Sequence, residues 1–177
     1  MDRRQFVVGS LASAVSSVSL AQGAAQISTL SDGFFTTPST FLARESDQAK
    51  AFVDAVRRCD GLIIATPSYH GGISGLVKNA IDFIEDLRAD TRVYLQDRAV
   101  GSIVCADGPQ AMGATLASLR AIVHALRGWN TPYAAAINTR NRPFGADGQP
   151  ADPTVIQACE TVADEVVRFA RMQAALR

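Results

Sequence analysis

The sequence predicts an α/β domain, built as a doubly wound parallel sheet of five strands with helices on both faces. Three observations lead there. Two continuous apolar runs of strand length, Gly61–Thr66 (GLIIAT) and Arg98–Ala106 (RAVGSIVCA), have the composition of parallel strands buried on both sides. The segments around them carry apolar residues at helical spacing. Strand and helix then alternate along the chain, which is the pattern of parallel pairing through crossover helices. With 177 residues, 47% hydrophobic and 19% charged, one domain over residues 1–177 with a single core is expected.

Each element follows in order. Gln5–Val8 reads as a first strand, and the serine-rich stretch Ser10–Ser17 as the loop after it. The same stretch has a second reading. Arg3 and Arg4 ahead of Phe6, a Ser/Ala/Val run to Leu20 and small residues around Ala24 and Ala25 also fit a twin-arginine export signal over residues 1–25. Gln26–Asp32 is a short second strand, and Gly33–Arg44 a loop. Ser46 caps a helix to Arg58 with Ala49, Phe52, Val53 and Val56 on one face. After the strand Gly61–Thr66 and the loop Pro67–Ser74, a helix runs from Gly75 to Arg88 on a stripe of Leu76, Val77, Ala80, Ile81, Ile84 and Leu87. Arg98–Ala106 is the next strand. Asp107–Gly113 (DGPQAMG) opens a helix to Arg127, with Met112, Leu116, Leu119, Ile122, Val123 and Leu126 inward. Pro132–Asn138 is the last strand, Thr139–Pro153 an irregular excursion, and Thr154 onward one long helix.

Several function classes fall away. Seventeen basic against seventeen acidic residues, with no basic run after Arg4, leave no electrostatic footprint for nucleic acid. No stretch reaches the ~18–20 apolar residues that span a membrane. Cys59, Cys105 and Cys159 lack metal or disulfide spacing and read as free buried thiols. His70 has no partner at ligand spacing, so no metal site is expected, and His124 reads as a structural residue in mid-helix. Lys78 and Asp82, four apart on a helix, form an ordinary surface ion pair. Trp129 reads as a core or oligomer contact. No catalytic side-chain set stands out, neither paired carboxylates nor a Cys–His or Ser–His–Asp arrangement.

In a doubly wound sheet, ligands sit outside the carboxyl ends of the strands, where the strand order reverses. Three loops follow carboxyl ends here: Ser10–Ser17, Pro67–Ser74 and Asp107–Gly113. One of them carries a specific string. Residues 66–83, TPSYHGGISGLVKNAIDF, resemble the signature TPxYNGSIPGxLKNALDW of the NADPH-dependent FMN reductases, in the expected strand–loop–helix context. The resemblance implies a flavodoxin-like fold with strand order 2-1-3-4-5, FMN as cofactor and NAD(P)H as hydride donor. It also implies a small-molecule electron acceptor (FMN, a quinone or similar) and a homodimer or homotetramer. Pro67, Ser68, Tyr69, His70, Gly71, Gly72 and Ile73 would line the flavin ring, joined by Asp107, Gly108 and Gln110 of the next loop. Ser10, Ser16 and Ser17 would hold its phosphate. Here the chain departs from the family pattern, with Ala12 in place of an arginine and room for only a short helix before Gln26.

Ile84, Leu87, Leu119 and Val123 are the apolar residues expected to serve both core and interface. Two other readings compete with a reductase: a flavodoxin-type electron carrier, against which the zero net charge speaks, and a flavin-free binding domain. The order 2-1-3-4-5 also bears on location. Cutting after residue 25 would remove a strand with neighbours on both sides, orphaning backbone groups at about 1–3 kcal/mol each. The expectation is therefore that residues 1–25 are retained and the protein is cytoplasmic.

Overall fold

The computed structural model of the protein describes residues 27–30 and 46–176. The described strands are β1 (Ile27–Leu30), β2 (Gly61–Tyr69), β3 (Gly72–Ile73), β4 (Ala99–Ala106), β5 (Trp129–Asn130) and β6 (Ala135–Asn138). β1, β2 and β4 pair in parallel in that order, with Gly61–Pro67 of β2 in register with Ala99–Cys105 of β4. β5 and β6 follow one another along the far side of β4, against Ala99–Val100 and Ile103–Ala106. Only β3 runs antiparallel, as a short return of the end of β2. The doubly wound α/β class is as expected.

Among the described residues four α-helices accompany the sheet: α1 (Asp47–Arg58), α2 (Gly75–Asp82), α3 (Pro109–Ala125) and α4 (Pro153–Ala174). Ser46 caps α1 by accepting from the Ala49 amide at 3.2 Å, and Arg57 and Arg58 sit at its carboxyl end, where the helix dipole favours cations. The helix expected to reach Arg88 stays α-helical only to Asp82 and tightens into a 3₁₀ turn over Phe83–Leu87. α4 starts from Pro153 with Asp152 as its cap; the expected last strand Pro132–Asn138 is realised as β6, Ala135–Asn138, and the two-residue β5 before it was not expected.

Both faces of the sheet are covered because β2 and β4 are apolar on both. Leu62, Ile64, Val100 and Val104 pack with α1, α2, the 3₁₀ turn and α3 on one side. Ile63, Ala65, Ile103 and Cys105 pack with Val155, Cys159, Val162 and Val166 of α4 on the other. Lys78 and Asp82 form the expected surface pair at 2.6 Å. His124 lies exposed near the end of α3, so it takes no part in the core.

Two expectations need correction. Gln5–Val8 lies outside the described residues, and the inner position assigned to it is filled: Ile27 to Leu30 pair directly with Gly61 to Ile64. The physical reason is that Ile27–Leu30 is itself the parallel partner of the first four residues of β2, so no other strand lies between them there. The second correction concerns the interface residues. Ile84, Leu87, Leu119 and Val123 are fully buried against the sheet and have no surface left for a partner. The large exposed apolar side chains among the described residues are instead Tyr69, Trp129 (tilted against Phe169), Tyr133, Ile156, Met172 and Leu176.

At the amino edge of the sheet, Arg98 is 1% exposed and is held by backbone carbonyls. Its guanidinium donates to the carbonyls of Arg57 (2.8 Å), Cys59 (3.1 Å), Tyr94 (3.0 Å) and Gln96 (3.4 Å). Burial lowers its pKa from the ordinary guanidinium value, and the neighbouring Arg92 adds to the effect.

In the centre, α4 approaches β4 so closely at Gly101 that a methyl group there would overlap Val162 Cγ1 and stand 3.0 Å from Val166 Cγ2. Gly101→Ala is therefore expected to cost about 1–3 kcal/mol of stability by overpacking, measured by urea unfolding, and Val162→Ala in the same chain should recover part of the loss. The three cysteines are free and buried. Burial raises the pKa of all three thiols, that of Cys159 to about 11. A raised thiol pKa leaves stability untouched while both states are protonated. As pH rises past the ordinary value of 9.0, the unfolded thiols ionise and the folded ones do not, so stability falls. Urea midpoints should drop between pH 8 and pH 10, and by less in a Cys159→Ala variant.

Candidate functional site

The carboxyl edge is organised by the end of β2. Its strand continues three residues beyond the expected Thr66, then turns back through His70 and Gly71 into β3, pairing Ser68 with Ile73 and Tyr69 with Gly72. Both turn residues have positive φ, +53° at His70 and +79° at Gly71, as a two-residue type I′ hairpin requires. A non-glycine residue with positive φ is uncommon, and histidine is among the types that tolerate it. The loop Pro67–Ser74 is thus a rigid hairpin, not an irregular connection.

Side-chain hydroxyls pin this hairpin on both sides. Thr66 Oγ1 accepts from the Ser74 amide at 3.1 Å, and Ser74 in turn caps α2 by accepting from the Val77 amide at 3.1 Å. Ser68 Oγ donates to the Ala111 carbonyl (3.1 Å) and lies 2.5 Å from Thr115 Oγ1 on α3. Thr115 is fully buried and was not among the residues singled out from the sequence. Its signal was faint: one hydroxyl in the apolar stripe of a helix.

The second loop leaves the sheet beside the first, because Pro67 and Cys105 are in register. Gly108, at φ +137°, turns the chain into α3, which starts at Pro109 without any side-chain cap. The amides of Gln110 and Ala111, in its first turn, have no intrahelical acceptor and face the carboxyl edge. A Cβ placed at Gly71 or Gly108 would meet nothing within 4 Å, so open space lies over both.

Of the expected site residues, Pro67 is buried, Ser68, Gly71, Gly72, Ile73 and Gly108 are half-buried, and Tyr69, His70, Asp107 and Gln110 are exposed. All ten lie at this one edge. Ser10, Ser16 and Ser17 lie outside the described residues. A group that the sequence reading missed joins the site from the 3₁₀ turn after β6: Arg140 donates through Nε to Asp107 Oδ1 at 3.0 Å and through Nη2 to the Asp107 carbonyl at 3.4 Å. That hydrogen bond and the charge of Asp107 raise the pKa of Arg140. The signal for it was topological, since the loop after the last strand ends at the same edge. Among the described residues, no group of three His, Cys, Asp or Glu side chains is placed to hold a metal, and no helix is long and apolar enough to cross a membrane.

The arrangement fits a flat aromatic ligand with carbonyl acceptors on one rim. The hairpin offers a wall with close backbone approach, Tyr69 an exposed ring, and the first turn of α3 unpaired amide donors.

Comparison with known proteins supplies a family and relatives. A family model described as NADPH-dependent FMN reductase matches residues 9–141. An FMN-dependent NADPH-azoreductase of Staphylococcus haemolyticus is 34% identical over 97 residues, covering 55% of this chain and 47% of that protein. An FMN reductase (NADPH) of Escherichia coli is 31% identical over 83 residues, covering 47% and 37%. The chain therefore matches less than half the length of either relative. A WrbA-like flavodoxin from Agrobacterium tumefaciens shares the fold with a TM-score of 0.52 at 19% identity, over 72% of this chain and 74% of the other.

The turn at His70 can be tested by stability alone. His70→Asn keeps a residue that tolerates positive φ and should stay within about 0.5 kcal/mol of the parent, whereas His70→Val should lose roughly 1–2 kcal/mol in urea unfolding.

Proposed function

The chain belongs to the NADPH-dependent FMN reductase family, matched over residues 9–141, and we propose that it acts as a reductase of that kind. In this reading residues 1–177 form a single domain that binds FMN at the carboxyl edge. The observation that carries the reading is the pairing of Pro67 with Cys105, which sets the rigid Tyr69–Gly72 hairpin beside the uncapped start of α3. Bound FMN would supply the redox chemistry, taking a hydride from NAD(P)H and passing two electrons to free FMN, a quinone or a similar acceptor.

The protein's own groups bind and orient. The hairpin backbone would hold one edge of the ring, with Gly71 and Gly72 permitting close approach. Tyr69 would pack on it, and the Gln110 and Ala111 amides would donate to its carbonyls. Ser68, locked by Thr115, keeps the hairpin still and so would orient the ring for the hydride donor. The chain is expected to need no side chain as acid, base or nucleophile. We also assign it to the cytoplasm, whose reducing conditions suit three free buried thiols, and to a homodimer or homotetramer. The exposed Trp129–Phe169 pair is the surface best suited to association.

Purified protein should carry the absorption bands of oxidised flavin, or take up added FMN, and bleach on adding NADPH without a second protein. A colourless chain that leaves FMN fluorescence unquenched sinks the reading, and bleaching only through a partner reductase makes it an electron carrier. Gly71→Val places a β-branched residue at φ +79° and should weaken FMN binding about 10-fold or more in a fluorescence titration. Tyr69→Ala should weaken it a few-fold. Unchanged affinity in both would place the ring elsewhere.

A further inference from the structure

We propose that Arg142, assisted by Arg140, recognises the 2′-phosphate of NADPH and sets the preference for NADPH over NADH; the inference rests on the reductase reading above. Among the described residues, the loops at the carboxyl edge contain two arginines, Arg140 and Arg142, both exposed. Arg57, Arg92 and Arg98 cluster instead at the opposite, amino edge, engaged with carbonyls and with Asp54, Asp60 and Asp90.

The two arginines at the carboxyl edge are held differently. Arg140 is oriented by Asp107, which takes one Nε and one Nη2 hydrogen and leaves Nη1 free for a ligand. Its backbone is fixed too, since the Arg140 amide donates to Asn138 Oδ1 at 3.1 Å. Arg142 closes the 3₁₀ turn Thr139–Asn141 in a left-handed conformation, φ +49°, with its amide bonded to the Thr139 carbonyl at 3.1 Å. Its side chain has no hydrogen bond or ion pair among the described residues. Arg142 thus presents its whole donor set from a pinned turn at the carboxyl edge.

The acidic groups nearby are committed to their own turns. Asp147 Oδ1 accepts from the Gln149 amide, and Asp152 Oδ1 accepts from the amide and hydroxyl of Thr154 as the cap of α4. The loop itself is braced. Pro143 is buried, and its carbonyl accepts from Ala151 at 2.8 Å and from Asp152 at 3.2 Å. The turn therefore presents the Arg142 charge from a fixed base.

A phosphate monoester is the natural ligand for such a pair, since a guanidinium meets it with two donors in one plane. Both FMN and NADPH carry one. β6 lies on the opposite side of β4 from β1, whereas FMN in a doubly wound sheet of this class sits at the switch point between the first and third strands. That leaves the 2′-phosphate of the hydride donor for Arg142.

Three measurements on the FMN-loaded protein separate the possibilities. Arg142→Asn is the variant of choice, because asparagine keeps the left-handed turn. Its NADPH-to-NADH ratio of kcat/KM should fall about 10- to 100-fold, through KM for NADPH and not through kcat. Arg142→Lys should keep part of the preference. By calorimetry, 2′,5′-ADP should bind the parent protein more tightly than 5′-AMP, and Arg142→Asn should abolish the difference. This binding arm needs no turnover, so it stands even if NADPH proves not to reduce the flavin, an outcome that would fail the reductase reading alone. The proposal is overturned if parent and variant share the same NADPH-to-NADH ratio, if 2′,5′-ADP binds no better than 5′-AMP, or if the variant loses FMN affinity instead.

Discussion

A buried cation fixes the register from which the site is built. Arg98 stands immediately before β4, and the Cys59 carbonyl it holds stands two residues before the start of β2. The same guanidinium reaches the Arg57 carbonyl in the last turn of α1, so that helix, β2 and β4 are tied at one point. The pairing of Gly61 with Ala99 follows directly, and it propagates without a bulge to Pro67 and Cys105. At about 3.3 Å per residue, that ladder carries the register some 20 Å across the sheet. A slip of one residue would move every β2 side chain to the wrong face and separate the two loops at the far end. The charge is tolerated in the interior because carbonyl dipoles surround it, including those at the negative end of a helix.

At the carboxyl edge, rigidity comes from hydroxyls. Thr66, Ser68, Ser74 and Thr115 each have a partner, and together they join β2, β3, α2 and α3. A site on a strand hairpin so braced holds its geometry better than one on a free loop. The hairpin turn is itself a compromise, since His70 accepts a left-handed backbone that costs a side-chain-bearing residue about 1 kcal/mol. That cost leaves an exposed imidazole at the lip of the site.

Much of this was legible in the sequence, and the gaps have physical causes. Apolar runs such as Gly61–Thr66 identify buried parallel strands because both faces must be covered, and periodicity marked α1, α2 and α3 to within a few residues. The string at residues 66–83 placed the main loop correctly. What failed was strand assignment near the amino terminus. Gln5–Val8 and Ile27–Leu30 are both short and apolar enough to pair, and no local signal says which of two such segments lies against β2. The interface residues failed for a related reason. An apolar stripe wide enough for core and surface alike cannot be divided by spacing, and Ile84, Leu87, Leu119 and Val123 all went to the core. Thr115, Arg140 and Arg142 were invisible for yet another reason: their roles depend on partners 30 or more residues away, or on a backbone angle, and neither leaves a trace in local pattern.

The two edges of the sheet therefore use arginine in opposite ways. Arg98 is desolvated, bonded wholly to the protein's own carbonyls, and has nothing to offer a ligand. Arg140 spends part of its donor set on Asp107, and Arg142 spends none. In the proposed reading, the Asp107 carboxylate stands beside a flavin ring that gains negative charge on reduction, and like charges repel. With Arg140 bonded to it, the pair is close to neutral and still donates from one face. In that reading the same contact would ease reduction and would steady one of two cations on the path of an anionic hydride donor. A neutral chain needs no strong overall field to attract that donor if its few unpaired cations stand where the phosphates must pass.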